Sequence, residues 1–141
     1  MDKQKVSRHE PDFDVGTNPP PMVLLRGWVR TVLADLHADV TDDVTDDVEL
    51  AATELVANAY EHGGGVLAVR LSRPPGGTAR LEVDDARPNL PLTAGRSTAG
   101  HFRGHGLRII DAVADAWGVD KAVNRKTVWA DLPVRVVSTV E

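Results

Sequence analysis

The chain contains no cysteine. Disulfides, a thiolate nucleophile and Cys-ligated zinc are therefore excluded, and its five histidines fall into no HExxH pattern. Aromatic residues make up only 4% of the 141 residues, so any core has to be assembled mainly from Val, Leu, Ile and Ala. No apolar run approaches the roughly 18 residues of a membrane span, and the N-terminus lacks the apolar stretch of a signal peptide. A cytoplasmic protein that meets no membrane is expected. Basic residues are in the minority, 16 Lys and Arg against 21 Asp and Glu, for a net charge of −5. That balance argues against the broad basic face of a direct nucleic-acid binder, and any anion site must be local. What is there, 42% hydrophobic and 26% charged residues, matches an ordinary globular domain, and the length suits one core rather than two.

Residues 1–21 mix both charge signs with Pro11, Pro19, Pro20 and Pro21 and show no period, so a flexible arm is expected there. From Met22, apolar residues at Leu25, Trp28, Val29, Val32, Leu33 and Leu36 form one helical stripe. An acid-rich stretch follows, in which Thr41 or Thr45 caps a second helix predicted from about Asp46 to Tyr60, with the glycines from Gly63 supplying a left-handed end. Alternation in VLAVRLS and ARLEVD predicts a hairpin across PPGG. The irregular stretch 86–103 reads as a lid. A third helix is predicted over 106–117, its stripe Leu107, Ile110, Val113, Ala114 and Trp117 stopping at Gly118, and TVWADL closes the fold as a strand. Residues 134–141 form a tail.

Three constellations carry chemistry. In ELVANAYEH, Glu54, Asn58 and His62 recur every fourth residue on an alanine-rich helix, and each such step drifts only about 40° around the axis, so the three line one face. A carboxylate one turn from a carboxamide suits a site where one oxygen ligates Mg²⁺ and the carboxylate orients or deprotonates a nucleophile. The same pattern also describes a solvated polar stripe. In LEVDDARP a strand ends on two acids, placed either to accept a hydrogen bond from a ligand amine or simply to make a turn. In GHGL, bare glycines open a helix, where backbone N–H groups and the helix dipole meet a phosphate. Between Ala86 and Ile110 there is no acid, while Arg87, Arg96, Arg103 and Arg108 supply positive charge. The sequence has no GxxxxGK[ST] and lacks the third glycine of a dinucleotide fingerprint, so P-loop and Rossmann readings fail.

Taken in order, ELVANAYEH, VDDARP, GHGL and the late KTVWADLP resemble the ATP-binding domain shared by histidine kinases, gyrase, Hsp90 and mismatch-repair proteins. The closest resemblance is to the small anti-sigma-factor serine/threonine kinases of bacteria in their actinobacterial form, over about residues 22–133. That resemblance implies a Bergerat-type α/β (α+β two-layer) sandwich with a mixed, mainly antiparallel sheet covered by helices on one face. It implies ATP and Mg²⁺ as cofactors, Glu54 as general base, Asn58 as magnesium ligand and Asp85 as acceptor for the adenine amine. His62, Arg103, Gly104, His105, Gly106 and Leu107 fall at nucleotide-contacting positions, and Thr127 falls on the strand position near the adenine. The implied partners are a sigma factor and an anti-anti-sigma protein, with homodimerisation common in the family. An alternative is a nucleotide-gated or degenerate binding protein without phosphotransfer. The chain departs from the wider Asp-x-Gly pattern at Arg87, and its length leaves no room for a phospho-accepting helix pair.

Overall fold

The computed structural model describes residues 13–15, 20–36, 40–87 and 105–134. Within them the chain folds as α1 (Met22–Leu36), α2 (Asp42–His62), β1 (Val66–Ser72), β2 (Thr78–Asp85), α3 (His105–Val113), β3 (Ala116–Lys121) and β4 (Lys126–Pro133). The expected two-layer α+β sandwich is what forms. Four strands in the order β1-β2-β4-β3 make one sheet, and every described pairing is antiparallel rather than mixed.

Pro21 starts α1, since its carbonyl accepts from the amides of Leu24 and Leu25 at 3.1 Å and proline itself has no N–H to leave unpaired. Leu25, Val29, Val32, Leu33 and Leu36 form the buried stripe, with Trp28 packed beside them. The arm is less free than its composition suggests. Phe13 is buried, its amide donates to the Val69 carbonyl on the edge strand β1 at 3.1 Å, and its ring meets Trp28 with centroids 5.5 Å apart. The expected tail, 134–141, has one described residue, Val134, which is buried; the others lie outside the described residues.

α2 begins four residues earlier than its periodicity predicts. Thr41 is the N-cap, its hydroxyl accepting from the Val44 amide at 3.4 Å, and Asp42 and Asp43 occupy the first turn, where carboxylates meet the positive end of the helix dipole. The helix reaches back because Thr45 and Val48 already face the core. It lies in the middle of its layer, touching α1 on one side, α3 on the other, and β1, β2 and β4 beneath.

On the sheet, Val69, Leu71, Leu81, Val83, Val128, Ala130 and Leu132 point into this core. The largest difference from the sequence reading lies at α3. The helix ends at Val113, and Trp117, expected as its last residue, and Gly118, expected as its stop, belong to β3, where Trp117 pairs with Ala130 and Gly118 with Trp129. Trp117 lies three and four residues beyond Ala114 and Val113 and also alternates with Val119, so its spacing did not discriminate. Gly118 is a slot rather than a helix stop. A Cβ there would lie 2.8 Å from Cζ2 of the Trp129 indole, which rests on it.

Candidate functional site

Because β-strand side chains alternate, the last residues of β2 and the first of β4 divide between two faces. Asp85 and Lys126 face the helices; Asp84 and Thr127 face the open side of the sheet. The helix-facing pair is sealed. The Lys126 ammonium lies 2.8 Å from Asp85 Oδ2 and 2.9 Å from Oδ1, and both side chains are only 1% exposed. Lys126 Nζ also donates to the Arg87 carbonyl at 3.0 Å, and the Arg87 amide donates to Asp85 Oδ1 at 3.0 Å.

The end of α2 closes over this pair. The Ala86 amide donates to the Gly63 carbonyl at 3.0 Å. A Cβ on Gly63 would lie 2.5 Å from both Cγ and Oδ2 of Asp85, so only glycine brings the backbone this near. Gly63 itself has φ −98°, and the left-handed conformations fall on Gly64 and Gly65, at 79° and 119°. The glycines thus serve first as an approach and only then as a turn.

One helical turn back from this junction stand Asn58 and then Glu54, both half-buried. Neither side chain makes a hydrogen bond or ion pair with another described residue. His62 continues the row at the end of the helix, 60% exposed, with the Glu61 carboxylate 3.9 Å from its Nε2. The structure therefore brings Glu54, Asn58 and His62 into one row and sets Asp85 beneath the helix's end. α3, which packs against α2, begins at His105 and Gly106. Leu107 turns its side chain into the protein and is 3% exposed, which leaves only its backbone for a ligand. Arg103, Gly104 and most of the expected lid lie outside the described residues.

Thr127 is not brought to Asp85. Its hydroxyl donates to Asp84 Oδ1 at 2.6 Å on the opposite face. There Asp84, 3% exposed, also accepts two bonds from Arg70, at 2.7 and 2.9 Å, and lies 3.3 Å from Arg125 Nη1. Arg70 Nε donates to Glu82 at 3.0 Å. Farther along the same face, Arg80 holds Asp131 with two bonds, at 2.7 and 2.8 Å, and stacks 4.3 Å over Trp129. Strand alternation predicts that Asp84 points away from Asp85 to the other face, and there it is the hub of a polar network.

Burial pushes the Asp84 carboxyl up, but the hydrogen bonds from Arg70 and Thr127, with the charges of Arg70 and Arg125, outweigh it and hold the group below its ordinary value. A carboxyl depressed in the folded state stabilises the fold above its unfolded pKa of about 3.9, and that contribution disappears as pH falls through the folded value. Asp84→Asn is therefore expected to cost about 1–3 kcal/mol at pH 7, with the gap to wild type closing below about pH 4. Urea unfolding at pH 3 and pH 7 checks this, and an equal gap at both would contradict it.

The residues at the two ends of this site differ in their fit to a nucleotide. Among the described residues no three His, Asp or Glu side chains are grouped as a metal site. Asn58 alone suits a magnesium ion that keeps phosphate oxygens and waters as its other ligands, so the Glu54–Asn58 end fits. The Asp85 end does not, because its carboxylate is already bonded and buried.

Motif reading gave no role at Asp85 to Lys126, nor to Arg87 and Gly63, which it read as a basic residue departing from Asp-x-Gly and as a helix end. A signal for Lys126 was present, since Lys126, Val128, Ala130 and Leu132 share one parity and a lysine at an inward strand position requires a buried acid.

Comparison with known proteins agrees with this architecture. Residues 19–131 match the family model of the histidine kinase-like ATPase domain. An uncharacterized protein of Streptomyces coelicolor is 37% identical over 79 residues, covering 54% of this chain and 75% of that protein. Among the described residues, no helix is long and apolar enough to cross a membrane.

Proposed function

The chain belongs to the histidine kinase-like ATPase domain family, and from that premise we propose that it is an ATP- and Mg²⁺-dependent serine/threonine protein kinase acting in the cytoplasm. On this reading it phosphorylates an anti-anti-sigma partner and sequesters a sigma factor when that partner is unavailable. The observation that carries the reading is the row on α2: a half-buried carboxylate and carboxamide one turn apart, unspent on any described neighbour, on a helix that packs against α3.

In this proposal Glu54 orients the partner's hydroxyl and takes its proton as the oxygen attacks the γ-phosphorus, with ADP leaving. Magnesium supplies neutralisation of phosphate charge, and Asn58 holds it. The backbone at the start of α3, including Gly106 and Leu107, presents N–H groups to phosphate oxygens. The resemblance puts the purine end at Asp85, whose carboxylate is bonded to Lys126. Its engagement with Lys126 favours a second reading, in which the chain binds nucleotide as a regulatory signal and transfers no phosphate.

Mg·ATP is expected to raise the unfolding midpoint. At about 100 times Kd, linkage contributes about 2.7 kcal/mol, a shift of several degrees for a domain of this size. A thermal-shift series with Mg²⁺ and with EDTA checks this, and a midpoint indifferent to Mg·ATP would contradict both readings.

A further inference from the structure

We propose that Lys126 removes Asp85 from base recognition, so that this chain binds purine nucleotides without reading the group at position 6 of the ring. The inference rests on the nucleotide-binding reading above and assigns its base specificity to the first residue of KTVWADLP, to which the resemblance gives no role.

A carboxylate offers about four lone-pair sites. At Asp85 the Lys126 ammonium faces both oxygens, at 2.8 and 2.9 Å, and the Arg87 amide takes a second site on Oδ1 at 3.0 Å. What remains on Oδ2 lies under Gly63, whose backbone leaves no space even for a methyl group. The cover is tied down by the bond from Ala86 to the Gly63 carbonyl, and the Arg87 side chain packs against Gly64. No acceptor at Asp85 is therefore open to an incoming amine.

An adenine amine would have to displace an ammonium group that is itself 1% exposed. That exchange trades a charged donor for a neutral one and strands a buried cation, which is unfavourable. The base consequently gains nothing from its 6-amino group. Affinity then comes from the triphosphate and its metal, which are common to every nucleotide.

The test compares ATP, inosine triphosphate and purine riboside triphosphate, which carry an amine, an oxygen and a hydrogen at position 6. Each is titrated with Mg²⁺ into the full chain by calorimetry. The wild-type protein is expected to bind all three within about threefold. Lys126→Met, measured well below its own melting midpoint, frees the carboxylate and is expected to favour ATP over purine riboside triphosphate by about tenfold or more, the worth of one charge-assisted hydrogen bond.

A wild-type preference for ATP of tenfold or more would overturn the inference while leaving the nucleotide site standing, and this arm needs no variant. A folded Lys126→Met protein that still binds the three alike would also overturn it. Failure of the wild-type chain to bind any triphosphate would remove the functional reading itself, and this inference with it.

Discussion

Lys126→Met is expected to destabilise the fold by about 3–5 kcal/mol and to lower the unfolding midpoint by more than about 10 °C. The methionine fills the space of the lysine stem but leaves the Asp85 carboxylate, 1% exposed, without its cation. The Arg87 carbonyl loses its donor as well. A charge without a partner in such a place costs far more than the pair itself contributes. The double variant Asp85→Leu/Lys126→Met removes both charges, and replacing a buried pair by apolar side chains is often neutral or stabilising, so it is expected to recover most of the loss. Thermal and urea unfolding of the two proteins check the expectation. A single variant as stable as wild type would mean that the pair is not buried as described.

Glu54→Ala is expected to leave the fold and Mg·ATP binding in place while lowering γ-phosphate transfer by about 10²–10⁴, the usual contribution of a positioned general base. Alanine is the best helix former, and Glu54 holds no described partner whose loss would disturb α2. The effect should therefore fall on the chemical step alone, read as ADP formed with water or a protein hydroxyl as acceptor. If the variant turns over at the wild-type rate, Glu54 is not the base. Measurable binding without turnover in either protein would favour the regulatory binding reading.

Much of this was legible in the sequence because the helical stripes of α1 and α2 and the alternation of β1, β2 and β4 each match one period only. The row of Glu54, Asn58 and His62 follows from spacing, since a helix fixes which residues share a face. β3 was not legible. Trp117 suits helix and strand alike, and the decisive fact, Trp129 lying on Gly118, joins residues brought together only by the sheet. The same holds at Asp85 and Lys126, whose pairing depends on the β2–β4 register that sets Asp85 against Lys126. The motif resemblance identified Asp85 and, although KTVWADLP begins with the lysine across from it, gave that lysine no role. Asp84 shows the converse, since alternation correctly sent it to the other face but gave no hint that Arg70, Arg125 and Thr127 would converge there.

The central claim is that Mg·ATP binds along the Glu54–Asn58 row of α2 beside the start of α3. An amide-resolved NMR titration of the ¹⁵N-labelled chain tests it most directly, because it reports where the ligand sits as well as whether it binds. The predicted result is saturable, Mg²⁺-dependent shifts concentrated between Glu54 and Gly65 and over the first turn of α3, with the open sheet face around Arg70, Arg80 and Trp129 unmoved. A spectrum that does not change with Mg·ATP, or one whose shifts are confined to that open face, would contradict it.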